Sequence, residues 1–203
     1  MSAVVSLRPR LEARAESVAA PWSLDNLRGV LSELSSEHGG ARLTLAFEVV
    51  KQAQHQGEPV AWVTITDTAF FPPDVAASGI DLAALPVVRL KKADTLARGA
   101  EQLLRSGAFG LLVVDLPSGV ELSTPMQSRL LGLCQKHHTA LLCLTEKPRH
   151  TPSLGSLVAL RAHAERRRLT HRQFECRAVA EKDKRRAPGW THAAKFAGPP
   201  GLF

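Results

Sequence analysis

The chain of 203 residues (22.0 kDa) is 44% hydrophobic and 22% charged, a composition typical of one globular domain with a single core. No apolar run approaches the roughly 18 residues that a membrane span needs, and Arg8, Arg10 and Arg14 stand where a secretory signal is apolar. We therefore expect a cytoplasmic protein; its three widely spaced cysteines, without a CxxC pair, argue against a disulfide framework and a thiolate zinc site.

Positive charge is concentrated towards the C-terminus. Residues 147–203 contain 13 Lys and Arg against 4 Asp and Glu, a net charge of +9, whereas residues 1–146 contain 13 against 15, a net charge of −2. This distribution indicates either an anionic partner, nucleic acid or an acidic protein surface, or a solvated basic tail. Aromatic residues make up 5% of the chain and tyrosine is absent, which argues against a surface that stacks single-stranded bases.

The sequence pattern divides the chain into three parts. Residues 1–20 mix apolar and charged residues at loosely helical spacing, with Pro9 interrupting the pattern. This N-terminal segment is expected either to contact another protein or to fray as a terminus. Residues 21–180 form the core domain, and residues 181–203 form a basic tail that contains proline and glycine and shows no period.

Helices in the core are marked by caps and by apolar spacing. A turn-like PWSLDN, a short apolar stretch GVLSEL and a loop SSEHGGA come first. A helix is then predicted over residues 42–56, and Gly57 with Pro59 ends it. Two further helices are predicted, one after Asp94 as N-cap, the other after Ser123 or Thr124 as N-cap with Pro125 in the first turn.

Strands alternate with these helices. Four continuous apolar runs are typical of strands buried on both faces of a parallel sheet: residues 60–66, 85–90, 110–116 and 140–145. After Pro148, SLVALRAHAERRRL and FECRAVAEK alternate, as antiparallel strands with one exposed face do. The predicted fold class is α/β, a mainly parallel sheet flanked by helices with an antiparallel extension near the C-terminus.

The first loop and helix of such a sheet are where a phosphate is held. A P-loop reads GxxxxGK followed by Ser or Thr: backbone N–H groups wrap the phosphates, the lysine reaches the outer phosphates and the hydroxyl holds magnesium. The corresponding residues here are Ser36, Ala41, Arg42 and Leu43, so every consensus position has changed, and Thr44 offers a hydroxyl one residue late. Leucine has no oxygen for magnesium, which predicts a vestigial site.

Two acidic residues follow apolar strands. Asp115 ends LLVVD, the pattern of a magnesium-orienting carboxylate, and Asp67 follows VAWVTIT. Both also fit the simple role of capping a helix or turn. The vestigial nucleotide site is accordingly assigned to Arg42, Thr44 and Asp115.

The order of these pieces resembles the ATPase core of the RecA family over about residues 27–189. The most telling segment is AEKDKRRAPG, where Lys182, Lys184 and Pro188 match a two-lysine motif followed by proline. In RecA proteins, the resemblance implies, those lysines reach the nucleotide of the neighbouring subunit in a filament. The two connections that carry DNA-binding loops in RecA are short here, PSGVELST and EKPRHTPSLGS.

With its changed P-loop, short loops and basic ending KDKRRAPGW, the chain is similar to the ImuA family of bacterial DNA-damage proteins, which is related more distantly to the SulA division inhibitors. The resemblance implies a non-catalytic cytoplasmic accessory factor of error-prone translesion synthesis in the SOS response. Its implied partners are RecA, an ImuB-type inactive Y-family polymerase and an error-prone DnaE-type polymerase. No cofactor is expected, and DNA binding is expected to be weak.

Two other functions stay open: a weak ATPase or ATP-sensing switch, and a division inhibitor of the SulA type. No nucleophile has a recognisable base partner, so no catalytic residue is assigned. Cys134, His137, His138 and Cys143 have mixed, wide spacing, so no metal site is assigned. A cation cluster is expected to contact a partner or nucleic acid, or else to remain solvated: Lys182, Lys184, Arg185 and Arg186.

Overall fold

Helix and strand boundaries follow most of the predicted alternation. The computed structural model describes residues 20–37, 41–66, 75 and 78–198, so Asp67 and all of the N-terminal segment except Ala20 lie outside the described residues. The helices with described bounds are α1 (Leu24–Leu27), α2 (Arg42–His55), α3 (Leu96–Ser106) and α4 (Thr124–His137). The strands are β1 (Leu31–Ser36), β2 (Val60–Ile65), β3 (Val87–Leu90), β4 (Leu111–Asp115), β5 (Ala140–Glu146), β6 (Leu160–Arg168), β7 (Gln173–Asp183) and β8 (Thr191–Ala197).

All eight strands belong to one sheet, in the order β3-β2-β4-β5-β1-β6-β7-β8. The six strands from β3 to β6 are mutually parallel, whereas β7 and β8 are antiparallel to their neighbours. The predicted fold class, a mainly parallel sheet with an antiparallel extension at the C-terminal end, is confirmed. Parallel neighbours place the carboxyl ends of β1, β4 and β5 at one edge of the sheet, where ligands of α/β proteins bind.

Helices cover both faces of the parallel part. The core on one face joins α1 and α2 to the sheet through Trp22, Leu45, Val49 and Trp62. The core on the other face packs α3 and α4 against alternate residues of the same strands. Both faces of β2, β4 and β5 are therefore buried, which explains why their sequences are continuous apolar runs. None of the helices among the described residues is long and apolar enough to cross a membrane.

The central strand β1 is unusual because it is buried along its whole length and yet is largely polar. Its six residues, LSELSS, include a glutamate with no exposed surface. At this strand the sequence indicates only a short apolar stretch, GVLSEL. Serine and glutamate interrupt both the continuous and the alternating apolar patterns that are typical of strands. Pairing with β5 on one side and β6 on the other satisfies its backbone and defines it as a strand.

Two predictions need correction. Asp94 does not cap α3: it lies within a 3₁₀ turn, Ala93–Thr95, and Thr95 is the N-cap residue of the helix. The predicted tail over residues 181–203 is not aperiodic throughout, since Glu181 to Asp183 extend β7 and β8 forms a further strand. Exposed and half-buried residues alternate in THAAKFA, but most of them are small, so the hydrophobic pattern of the sequence is weak. Backbone pairing with β7 therefore defines this segment as a strand.

Candidate functional site

Three strand ends and one helix start meet at the carboxyl edge of the sheet. Ser36 ends β1, Asp115 ends β4, Glu146 ends β5, and Arg42 is the first residue of α2. Ser36 pairs directly with Glu146 in the parallel ladder of β1 and β5. Asp115 pairs with Leu144 on the other side of β5. The topology therefore brings one cation and two carboxylates together.

The guanidinium of Arg42 joins these groups. Its Nη1 donates to Ser36 Oγ at 3.3 Å, and its Nη2 donates to Glu146 Oε2 at the same distance. The side chain is 18% exposed, and its Nε has no hydrogen-bond partner among the described residues. Arg42 thus lies between β1 and β5 as a partly buried positive charge, bound to the ends of both strands.

Asp115 is the buried acid of this site. Thr64 on β2 donates its hydroxyl to Asp115 Oδ2 at 3.5 Å, a long hydrogen bond. Burial raises the pKa of Asp115 above its usual value, while the positive charge of Arg42 and the Thr64 hydrogen bond oppose that shift. Arg42 therefore supplies part of the compensation that a buried carboxylate requires.

The two residues after Arg42 do not join the site. Leu43 packs partly buried against the core on the α2 face of the sheet. The Thr44 hydroxyl lies beside the thiol of Cys176 on β7, in the antiparallel extension, where it opposes the rise in the pKa of that thiol. Of the predicted nucleotide residues, the structure brings Arg42 and Asp115 together and places Thr44 elsewhere, because two positions along a helix turn a side chain through about 200°.

Sequence reasoning missed Glu146 and Thr64. Glu146 comes directly after the apolar run of β5, so the strand-end rule that selected Asp115 would also have selected it. Thr64 carries no such signal, because it lies inside β2 and only the pairing of β2 with β4 brings it to Asp115. Asp67 lies outside the described residues, as do residues 38–40 of the predicted loop.

The predicted cation cluster is folded onto the chain itself. Lys182 and Lys184 donate to the carbonyl oxygen of Ser156, at 3.4 and 2.7 Å. Burial and the charge of Lys184 lower the pKa of Lys182. The two arginines contact the α1 region: Arg185 donates to the carbonyls of Asn26 and Arg28, and Arg186 donates to Asn26 Oδ1. Lys182 is half-buried and the other three cations are exposed. Their expected contact with a partner or nucleic acid stays a prediction.

The connection after β5 is held by two buried charges. Glu33, which has no exposed surface, forms an ion pair with Lys147 and accepts hydrogen bonds from the Thr145 hydroxyl and the Leu154 amide. Arg161, 4% exposed, donates to three carbonyl oxygens of the same connection: Pro148, Arg149 and Thr151. This connection, residues 147–156, is therefore fixed to the central strands at both ends.

All three cysteines are buried and unpaired: Cys134 on α4, Cys143 on β5 and Cys176 on β7. Burial raises the pKa of Cys134 to about 12, and burial also raises the pKa of the other two thiols. A thiol with a raised pKa is a poor nucleophile and a poor metal ligand. Within the described part of the chain no group of three His, Cys, Asp or Glu residues is placed to hold a metal ion.

Comparison with known proteins connects this fold to one group. RecA of Chlorobium limicola is 30% identical over 110 residues, which are 52% of this chain and 31% of that protein. RecA of Fusobacterium nucleatum is 29% identical over 110 residues, 52% of this chain and 29% of that protein. RecA of Chlorobium chlorochromatii is 31% identical over the same length, 52% and 31% respectively. No family model matches the chain.

These similarities support a RecA-like relationship. Together with the strand order they make the architecture a RecA-like α/β fold. The chain spans about a third of the length of the curated relatives that it matches.

Proposed function

We propose that this chain is a RecA-like accessory protein of the DNA-damage response, of the ImuA type, which acts by binding other proteins and not by hydrolysing ATP. The observation that carries the proposal is the position of Arg42. Its guanidinium binds Ser36 and Glu146 and lies near enough to Asp115 to lower the pKa of that carboxyl. A cation of the protein itself thus balances the charge of the acids that would face a magnesium nucleotide.

The residue after Arg42 supports the same conclusion. A P-loop needs a hydroxyl at this position to hold magnesium, and Leu43 instead packs against the core. The next hydroxyl along α2, that of Thr44, lies beside Cys176 instead. Bringing the Thr44 hydroxyl to this edge would require α2 to rotate, which would expose its buried apolar face.

For a RecA-like core without nucleotide chemistry we infer a role in error-prone translesion synthesis. The proposed partners are RecA, an ImuB-type inactive Y-family polymerase and an error-prone DnaE-type polymerase. The similarity to RecA proteins favours a protein that shares RecA surfaces. The positive charge of residues 147–203 favours acidic partner surfaces and permits weak, salt-sensitive DNA binding in addition.

The first experiment tests nucleotide binding. A ligand at 100 times its Kd stabilises a protein by about 2.7 kcal/mol, which for a domain of this size raises Tm by about 5–10 °C. We expect Mg-ATP to leave the Tm unchanged and to yield no phosphate above the buffer control, whereas a RecA protein measured alongside is stabilised. Phosphate release that Asp115→Asn abolishes would instead establish an ATPase.

The second experiment tests the partners. Purified protein is immobilised, and RecA, the inactive polymerase and the error-prone polymerase are passed over it separately at physiological salt. Binding of at least one of them, independent of ATP, is the expected result. Binding of a tubulin-like division protein and of none of the three would favour a SulA-type inhibitor instead.

A further inference from the structure

The outer edge of β8 has no strand partner in the described part of the chain. β8 is the last strand of the sheet and pairs only with β7 among the residues that the structure describes. Gly198 N donates to the Arg172 carbonyl at 2.8 Å and Ala180 N donates to the Trp190 carbonyl at 2.9 Å, so even-numbered residues of this segment bond to β7. By the alternation of an antiparallel ladder, the amide and carbonyl groups of the odd-numbered residues point away from the sheet: Thr191, Ala193, Lys195 and Ala197.

The side chains of this edge do not protect it. The odd-numbered residues are exposed, and two of the four are alanine. Edge strands are usually protected by proline, by a bulge or by several charges. β8 has neither proline nor a register shift along its ladder with β7, and it contains one lysine. A second extended chain can therefore approach along all seven residues.

Positive charge lies at both ends of this edge. The end of β6 and the turn that joins it to β7, residues 166–172, contain four arginines and no acidic residue, and the hydrogen bond from Gly198 to Arg172 places the turn beside the C-terminal end of β8. Residues 184–198 add four more basic residues and again no acid. Lys195, one of these four, lies on β8 itself, opposite Glu175 of β7, whose carboxylate forms an ion pair with Arg177.

From this edge and these charges we infer that β8 is a docking site for an extended acidic segment of a partner protein, which adds to the sheet as a ninth strand. Main-chain hydrogen bonds to the odd-numbered residues would hold the segment, and its carboxylates would face the two basic groups. The inference rests on the proposed function in that it names the surface where a protein partner binds.

Two other occupants fit less well. A second copy of the chain would bring equal sets of basic residues together along β8, at a net charge of +7 per chain. A nucleic-acid backbone offers phosphate acceptors but no donors, so it would leave the outward carbonyl groups of β8 without partners. An extended peptide presents both donors and acceptors at the spacing of the strand.

The experiment uses the full chain and a fluorescein-labelled peptide of alternating glutamate and valine, about nine residues long. We expect binding by fluorescence anisotropy with a Kd of about 1–100 μM at physiological salt, and slower hydrogen exchange at the odd-numbered amides of β8. The variant Ala193→Pro removes one outward donor and should weaken binding at least tenfold, since proline is tolerated on a strand edge where the N–H faces solvent. Ala193→Val keeps that donor and is the matched control, with binding expected within about twofold of the wild type.

The role of charge is tested separately with Lys195→Glu. This variant should bind the acidic peptide more weakly than the wild type does, and should bind an otherwise identical peptide with lysine in place of glutamate more tightly. Circular dichroism and Tm establish that each variant is folded. The inference is overturned if the acidic peptide fails to bind at about 1 mM or if Ala193→Pro binds as well as Ala193→Val. It is also overturned if light scattering shows a dimer that Ala193→Pro disrupts, or if an oligothymidine competes for β8 better than the peptide. None of these results would alter ATP-independent capture of a partner through another face, so failure here leaves the proposed function standing.

Discussion

Arg42 and Glu146 are 104 residues apart in the chain, yet Nη2 of the arginine lies 3.3 Å from Oε2 of the glutamate. The pair connects the start of α2 to the end of β5, and the same guanidinium also binds Ser36 at the end of β1. The side chains are 18% and 33% exposed, so water screens the pair only in part. The free energy that Arg42 contributes to stability therefore comes from its interaction with the buried Asp115 as well as from the pair with Glu146.

Replacing Arg42 by alanine should lower the free energy of unfolding by about 1–3 kcal/mol at pH 7, since Asp115 then remains buried without a nearby cation. The pKa of Asp115 should rise further, so the loss should be smaller at pH 5, where more of the carboxyl is protonated. Urea denaturation at both pH values measures the difference. Arg42→Lys keeps the charge and should lose less; equal losses for Arg42→Ala at both pH values would contradict the role of Asp115.

Asp115 itself should make stability fall as the pH rises. Burial raises its pKa in the folded protein above the value of 3.8 for an unperturbed carboxyl, so the folded state binds this proton more tightly than the unfolded state does. Its contribution is fully present below the unfolded pKa and is lost as the pH rises through the folded pKa. Asp115→Asn lacks this titration, so thermal melts from pH 4 to pH 7 should show the variant gaining stability relative to the wild type. A constant difference would show that the carboxyl is not perturbed.

Removing the charge of Glu33 should be costly. Glu33→Gln leaves the Lys147 ammonium, whose side chain is 15% exposed, without its anion, and breaking a buried pair from one side typically costs about 3–5 kcal/mol. Combining it with Lys147→Met removes both charges and should recover much of the loss. Guanidinium denaturation of the two variants gives the comparison, and a double variant no more stable than Glu33→Gln would refute the pairing.

Arg161 should control access to the connection after β5. Arg161→Met keeps most of the packing volume but removes donors to the carbonyls of Pro148, Arg149 and Thr151. Trypsin should then cut after Arg149 about tenfold faster, because cleavage follows local opening. Arg167→Met, an exposed change on the same strand, is the control and should leave the cleavage rate unchanged. An unchanged rate for Arg161→Met as well would show that other contacts hold the connection.

The parallel part of the fold was predictable because burial on both faces leaves a continuous apolar record in the sequence. Strands β2, β4 and β5 were found in this way, whereas helix α2 was found from the helical spacing of its apolar residues. Strand β1 was indicated only by the short apolar stretch GVLSEL, because its polar residues are satisfied by groups more than 100 residues away, such as the Thr145 hydroxyl that bonds to Glu33. Long-range pairing of this kind leaves no local pattern.

The candidate site was predictable to a similar extent. Asp115 and Arg42 follow from position, at a strand end and a helix start. The position of Thr44 beside Cys176 depends on how α2 is rotated against β7, which one sequence does not specify. The contacts of Arg185 with the α1 region likewise depend on the turn after β7. The sequence of a run of cations does not indicate whether the side chains are solvated or bound to carbonyl oxygens.

The burial of all three cysteines has a practical consequence for measuring how the molecule opens. Cys134 lies in the helical layer, Cys143 in the centre of the parallel sheet and Cys176 in the antiparallel extension. A thiol reagent in native conditions reacts with each cysteine only when its own region opens, so the order of labelling ranks the local stabilities of three regions of one unaltered protein. Because Cys176 faces α2 from β7, its labelling rate would report directly on whether a ligand bound along β8 holds the extension closed.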